Sequence, residues 1–237
     1  MELPIDFVKE LQLNMSNDLY EALWTGLHQK PLTSVRINPF KAKEISSWQN
    51  HVPQFNQAVK KVEWCKNGYY LSQRPNFTFD PLMHGGLYYV QEASSMFLDT
   101  IIRQLVKQPV RMLDLCAAPG GKSLVLAKST GIKGKLTAND RSPERRERLR
   151  KVLYSLREDL RPEIRITGFN AESWGLYEKD AYDFVLLDAP CSSERHVLND
   201  PKYLSQWSPS RPKRLSVSQY AMLSSALMAV REGGYIL

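Results

Sequence analysis

Two stretches of the chain carry residue types that can do chemistry. The first reads Leu113-Asp-Leu-Cys-Ala-Ala-Pro-Gly-Gly-Lys122. Val110 to Leu115 is a short apolar run suited to a buried strand, and from Lys122 to Lys128 the pattern turns helical, with Leu124, Val125 and Ala127. In the turn between them, Gly120 and Gly121 let backbone approach a ligand closely. The free N–H groups of the helix that follows face an anionic group such as a carboxylate or phosphate. The second stretch is Asp188-Ala-Pro-Cys191, which follows the apolar run Tyr182 to Leu187. Two further strand ends fall between them: Leu136 to Asn139 ends at Asp140, and Ile164 to Phe169 ends at Asn170-Ala171. In an open α/β sheet, ligands bind beyond the carboxyl ends of the strands, and a carboxylate ending the second strand can accept both ribose hydroxyls of an adenosine-containing cofactor. Asp140 is placed for that role. Taken singly, a glycine pair after a strand also reads as an ordinary turn, and a lone cysteine there as a small core residue.

The elements that must position these residues form an alternating strand and helix series, which predicts a doubly wound α/β sheet. Ser142-Pro143 is a helix start, with Leu149, Val152, Leu153 and Leu156 as the apolar face and Arg146, Arg148, Arg150 and Lys151 toward solvent. A last helix is predicted from Pro212 to Arg231, stopped by Gly233-Gly234, with Tyr235 to Leu237 opening a strand. Ahead of this sheet, Asp6 to Gln29 reads as two helices broken at Asn14 to Asn17, whose apolar face (Phe7, Leu11, Leu19, Leu23, Trp24, Leu27) is expected to be core. Ser34 to Asn38 reads as a strand, and Glu63 to Leu71 as a strand pair turning at Asn67-Gly68. Trp64, Tyr69 and Tyr70 are either core aromatics or stacking surfaces for single-stranded RNA. The expected organisation is a small mixed α/β accessory domain over 1–80, including an Arg74-Pro75 to Asp80-Pro81 linker, then the main domain over 81–237.

The chain has 237 residues and a formal net charge of +7, enough length for a real core and a basic excess that favours polyanionic partners such as RNA. Cys65, Cys116 and Cys191 are widely spaced, with no Cys-x-x-Cys pair and no adjoining His cluster, so neither a zinc site nor a disulfide framework is indicated. No metal is expected, and a reducing cytoplasm is the simplest home. Met1 to Glu10 has no apolar core for a signal peptide, and no apolar run approaches a membrane span. A soluble monomer is expected.

The stretch Leu113 to Lys122 resembles the first cofactor motif of the Nop/Sun family of RNA cytosine-5 methyltransferases. Gly86-Leu-Tyr-Tyr-Val-Gln-Glu-Ala-Ser-Ser-Met96 is similar to the segment that opens the catalytic domain in the bacterial ribosomal branch, and Asp188-Ala-Pro-Cys191 matches the family's acid, proline and cysteine corner. After it, Ser192-Ser-Glu-Arg-His-Val-Leu198 departs from the usual Ser-Gly and looks like the organellar branch. The resemblance implies a Rossmann-like methyltransferase domain with S-adenosylmethionine on Cys116, Ala117, Ala118, Pro119, Gly120, Gly121 and Lys122. Asp140 would hold the ribose and Arg145, five residues on, would lie near the cofactor. Asn170 stands where the family usually has an aspartate for the adenine amino group, and Asp188 completes the set. The catalytic candidates are Asp188, Cys191 and Lys122, and the implied substrate is RNA, ribosomal RNA above all, with a protein partner able to add RNA affinity.

Carbon 5 of cytosine is a poor nucleophile until a thiolate adds to carbon 6. An acid at N3 then leaves an enamine that attacks a sulfonium methyl group. A carboxyl at Asp188 suits that role if partial burial raises its pKa, and by resemblance Cys191 is not the attacking thiol but the helper for release. The attacking cysteine is expected in a Ser-Thr-Cys string following the strand opened at Tyr235, past Leu237. Two other readings stand beside this one. One is a DNA cytosine-5 methyltransferase with Cys191 as nucleophile, which the absence of Glu-Asn-Val and Phe-x-Gly-x-Gly strings disfavours. The other is a non-catalytic RNA-binding or assembly protein on the same fold.

Overall fold

The computed structural model describes residues 5–30, 32–44, 60–106, 110–191, 208 and 210–237. The expected Ser192 to Leu198 departure lies outside them. In chain order the elements are α1 (Ile5–Asn14), α2 (Asn17–His28), β1 (Thr33–Ile37), α3 (Pro39–Glu44), β2 (Lys60–Lys61), β3 (Gly68–Leu71), α4 (Pro81–His84), β4 (Tyr88–Val90) and α5 (Ala93–Leu105). Then come β5 (Arg111–Asp114), α6 (Gly121–Thr130), β6 (Lys135–Asn139), α7 (Pro143–Tyr154), β7 (Glu163–Thr167), β8 (Tyr182–Leu186), α8 (Ser210–Ala229) and β9 (Val230–Ile236). They divide into two units, one of 1–31 and 189–221, the other of 32–188 and 222–237.

In the first unit, Ser16 caps α2 by accepting from the Leu19 amide at 3.4 Å, because serine competes well for helix-end N–H groups. The face expected to be core is only partly so. Phe7 is buried, but Leu19 is 58% exposed and α2 buries no residue fully. Tyr20, Trp24 and His28 instead stack along α2 at ring separations of 5.9 and 4.8 Å, as i, i+4 neighbours on one face do.

The second unit holds two sheets. The first is antiparallel in the order β2-β3-β1-β4, with Val35 between Tyr69 and Val90. It takes its edge strand from Tyr88–Val90, and its core is Val35, Ile37, Leu71, Phe77, Leu87 and Tyr88. The β2–β3 connection differs from the expected two-residue turn at Asn67-Gly68. Lys60 and Lys61 pair with Tyr70 and Tyr69, Val62 to Asn67 form the loop, and Gly68 already belongs to β3. Gly68 closes the loop by donating its amide to the Cys65 carbonyl at 2.9 Å and also answers a packing demand, since a Cβ there would lie 2.7 Å from the Met96 sulfur and 2.9 Å from Val62 Cβ. Trp64, at the loop, donates its indole N–H to the Ala93 carbonyl at 2.7 Å.

The second sheet is parallel, in the order β7-β6-β5-β8-β9, the doubly wound arrangement in which β5 and β8 flank the point where strand order reverses. Its three central strands β5, β6 and β8 are largely buried and read as mainly apolar runs, whereas the outer strands β7 and β9 keep exposed positions. Met112, Leu136, Ala138, Phe184 and Leu186 pack with Ile102, Val125, Leu126, Leu149 and Leu153 of α5, α6 and α7. The end of the chain departs from expectation in one respect. The helix stops at Ala229, and Gly233-Gly234 lie inside β9, whose pairing with β8 shifts register between Tyr182 and Phe184. Gly233 has φ +73° and a Cβ on Gly234 would meet the Asp183 carbonyl at 2.9 Å, so the glycines serve a bulge in a strand and not a helix stop.

Candidate functional site at the sheet's switch point

β5 ends at Asp114, and the next residues are fixed strand by strand. The Leu115 amide donates to the Leu186 carbonyl at 3.0 Å and the Ala117 amide to the Asn139 carbonyl at 2.8 Å, so the turn hangs between the ends of β8 and β6. The Ala118–Pro119 bond is cis and Gly120 has φ +116°. A Cβ on Gly120 would lie 2.9 Å from Val152 Cγ1, so glycine is required there both by conformation and by the helix packed beneath. A Cβ on Gly121 would lie 2.9 Å from the Tyr89 ring. The turn thus presses onto β4 and α7 before α6 begins.

Asp140 is 4% exposed and sits beside this turn. Its Oδ2 accepts from the Ala118 amide at 3.3 Å and lies 3.4 Å from Arg145, while Oδ1 accepts from the Ser142 amide at 2.9 Å. Arg145 also donates to the Ala118 carbonyl at 2.5 Å, so the sequence-predicted pair and the glycine turn are one bonded group. Lys122 reaches the other side of the turn, with its Nζ 2.5 Å from Asp188 Oδ2 at the end of β8. The Asp188 side chain is 51% exposed, so about half of it is covered. Asn170 caps a short 3₁₀ turn, its Oδ1 accepting from the Glu172 amide at 3.2 Å, next to the exposed ring of Phe169. Cys191 is exposed and belongs to the other unit.

Burial pushes the Cys116 thiol up to about 12, helped by the negative charges of Asp114, Asp140 and Asp188, and its sulfur lies 3.9 Å from that of Met222. It is held as a neutral thiol and not as a nucleophile.

Several contributors escaped the sequence. Asp114 is 1% exposed; one carboxylate oxygen accepts from the Ser123 hydroxyl at 2.7 Å and the other, Oδ1, has no partner. Burial above all, then the charge of Asp188, raises this carboxyl to about 7, against the opposing Ser123 hydrogen bond. Asn139 ties three strand ends together, donating to the Leu115 and Phe169 carbonyls at 3.1 Å each and accepting from the Phe169 amide at 2.9 Å. Arg146, expected on the solvent face of α7, instead turns back to donate to the Asp140 and Arg141 carbonyls at 2.7 and 2.9 Å. The signal for it is Gly168, where a Cβ would collide with the Arg146 guanidinium. Gln91 donates to the Gly121 carbonyl at 3.0 Å and braces the turn from β4's side.

The arrangement offers backbone amides, a lysine and three carboxylates around one turn at the switch point. Such a set can hold a ligand that combines a carboxylate, a cationic centre and vicinal hydroxyls. Among the described residues, no cluster of His, Cys, Asp and Glu is placed to hold a metal ion, and no helix is long and apolar enough to cross a membrane.

Comparison with known proteins places the chain in a family. Residues 104–237 match the family model described as 16S rRNA methyltransferase RsmB/F, and residues 3–93 match that of the N-terminal domain of 16S rRNA methyltransferase RsmF. A ribosomal RNA small subunit methyltransferase F of Erwinia tasmaniensis is 31% identical over 99% of this chain and 49% of its own length. The chain therefore spans about half the length of the curated relatives it matches. Among solved structures, PH0851 superposes with a TM-score of 0.84 at 23% identity, over 99% of this chain and 52% of that one. NSun6 from Pyrococcus horikoshii, solved with SFG, gives 0.78 at 15% identity, over 98% and 82%. At these identities the structural likeness speaks for the fold.

Proposed function

The chain belongs to the 16S rRNA methyltransferase RsmB/F family, and on that premise we propose that it carries the cofactor site of an S-adenosylmethionine-dependent RNA cytosine-5 methyltransferase acting on ribosomal RNA. The observation that carries the reading is the convergence at one switch point of the Gly120-Gly121 turn, the buried Asp140 and the Lys122–Asp188 pair.

The residues present fit that cofactor. Asp140, with Arg145 holding it against the turn, takes the ribose hydroxyls. Lys122 with the amides that open α6 suits a carboxylate, while the buried Asp114 carboxyl stands behind the turn. Cys116 to Gly121 supply the backbone wall, and Asn170 keeps an acceptor for the adenine amino group, its Oδ1 already accepting one amide. When bound, S-adenosylmethionine supplies an electrophilic methyl group on sulfonium. Asp188 faces the base as the proton donor to N3. Cys191 serves release of the base, and Cys116, held as a thiol, takes no covalent part. Residues 1–80 help to hold RNA while 81–237 bind the cofactor, and a partner protein can add RNA affinity. Working in a reducing cytoplasm as a monomer suits a chain whose Cys65, Cys116 and Cys191 are all free of disulfides.

Titration calorimetry of the folded chain with S-adenosylmethionine and with its demethylated product tests the reading. Binding of both is expected, and the absence of heat from either sinks it.

A further inference from the structure

A second cavity lies behind the glycine turn, away from the proposed cofactor residues. It has a volume of about 460 Å³ and is walled by β1, β4 and the 74–86 segment on one side and by α6 and α7 on the other. None of Cys116 to Lys122, Asp140, Asn170 or Asp188 lines it. Its reverse wall is nevertheless the back of the cofactor turn. Val152 packs beneath Gly120, and Tyr89 and Gln91 meet Gly121.

The wall is one-sided in charge. Arg36, Arg74, His84, Lys128, Lys151 and Arg157 line it, and among the described residues no Asp or Glu does. Some of these cations are answered from outside the cavity: Arg36 lies 3.6 Å from the buried Asp99, Arg157 lies 2.8 Å from Asp159, and the His84 ring bonds the Thr78 carbonyl. Arg74, Lys128 and Lys151 have no ion pair among the described residues, and Arg74 lies over the face of Phe77 at 5.5 Å. Burial and the like charge of Arg36 push Lys128 below its ordinary value against the weaker pull of Asp99, a shift that a bound anion relieves. The remaining lining is apolar and aromatic, including Phe77, Tyr88 and Tyr89. Cations unanswered by acids beside aromatic rings are the combination that recognises a phosphate carrying a flat base. The three cations come from three separate elements, Arg74 from the 74–86 segment, Lys128 from α6 and Lys151 from α7, so they can meet more than one phosphate of a strand.

We propose that this cavity takes a nucleotide of single-stranded RNA, with Arg74, Lys128 and Lys151 on its phosphodiesters, and so holds the substrate strand at a place separate from the methyl-donor site. The proposal rests on the RNA reading of the preceding section. It gives the back of the cofactor turn a role: RNA seated here bears on Tyr89, Gln91 and Val152, the side chains that brace Gly120 and Gly121.

The test is fluorescence anisotropy with a labelled single-stranded RNA oligonucleotide over a potassium chloride series. Arg74→Glu/Lys151→Glu changes two exposed side chains outside the proposed cofactor set, and S-adenosylmethionine calorimetry confirms that the variant is folded. The control Arg148→Glu/Arg150→Glu makes the same charge change elsewhere on α7, where both arginines pair with glutamates of their own helix. The cavity variant is expected to weaken RNA binding by about tenfold or more, with a salt slope shallower by about 0.7 for each phosphate no longer neutralised, while the control changes little. Equal weakening in both variants, or none in the cavity variant while the wild type binds RNA, overturns the cavity and leaves the RNA reading standing. A wild-type chain that binds no RNA at any salt overturns both. Full displacement of the RNA by micromolar cytidine monophosphate overturns the strand in favour of a free mononucleotide.

Discussion

Replacing Asp140 with alanine tests the cofactor assignment at its most connected side chain. The carboxylate is 4% exposed and makes two backbone hydrogen bonds, to the amides of Ser142 at 2.9 Å and Ala118 at 3.3 Å, besides its 3.4 Å approach to Arg145. A hydrogen bond to a charged acceptor contributes about 1.5–3 kcal/mol. The Ser142 amide lies where water can replace the missing oxygen, and Arg145 keeps the Ala118 carbonyl, so the loss of stability should be about 2 kcal/mol rather than the sum. Binding loses a separate interaction, the charged acceptor for the ribose hydroxyls. At about 1.5–3 kcal/mol this corresponds to a roughly 10- to 150-fold weaker Kd. Asp140→Asn keeps the shape and one acceptor oxygen, and should fall between wild type and alanine in both measurements. Urea melts read the first effect and calorimetry with the demethylated cofactor, well below the melting temperature, reads the second. A folded Asp140→Ala chain with the wild-type Kd would refute the ribose assignment, whatever its stability.

Three further outcomes follow from the same geometry. Gly120→Ala places a Cβ 2.9 Å from Val152 at φ +116°, so it should destabilise by about 1–3 kcal/mol and weaken cofactor binding; an unchanged melting temperature contradicts the account of that turn. Asp114 is raised from 3.8 to about 7, so its contribution to stability is complete below the unfolded value and is lost as pH climbs toward 7. Urea melts of Asp114→Asn should therefore gain on wild type by up to a few kcal/mol across that window, and a difference that does not vary with pH excludes the shift. Finally, iodoacetamide on the native chain at mildly alkaline pH should mark Cys191 and spare both the buried Cys65 and the high-pKa Cys116. Peptide mass spectrometry showing rapid labelling of Cys116 overturns its description as a held thiol.

What is legible in the sequence is whatever local patterning decides. The central parallel strands β5, β6 and β8 announce themselves as mainly apolar runs because both faces are covered, and the Ser142-Pro143 start fixes α7 through backbone chemistry that needs no partner. Gly68 and Gly233-Gly234 stand out as special positions, yet a turn is only part of the reason for Gly68, and a helix stop is not the reason for Gly233-Gly234. A glycine admits several explanations, and only the neighbours choose among them: Met96 and Val62 crowd Gly68, and the Asp183 carbonyl crowds Gly234. Met96 and Asp183 are distant in sequence from the glycines they press on, so no local rule reaches them. The apolar positions of α2 likewise share a helical face, but periodicity says which residues lie together and not how much covers them.

The site divides along the same line. Residue type and strand-end position are enough to bring Gly120, Lys122, Asp140 and Asp188 into one group, because a doubly wound sheet collects its strand ends at one edge. The states of those groups are not legible, since a state depends on burial and on the other charges present. Asp188 is half exposed and paired with Lys122, whereas Asp114, which no motif position marks for acid chemistry, is the carboxyl that burial raises. Arg146 shows the limit most directly. Four basic residues along α7 look equivalent by composition, but Arg146 alone stands under a glycine whose missing side chain lets a guanidinium reach the carbonyl of Asp140. Filling that space by Gly168→Ala should displace Arg146 and loosen the strand end that presents the ribose acceptor.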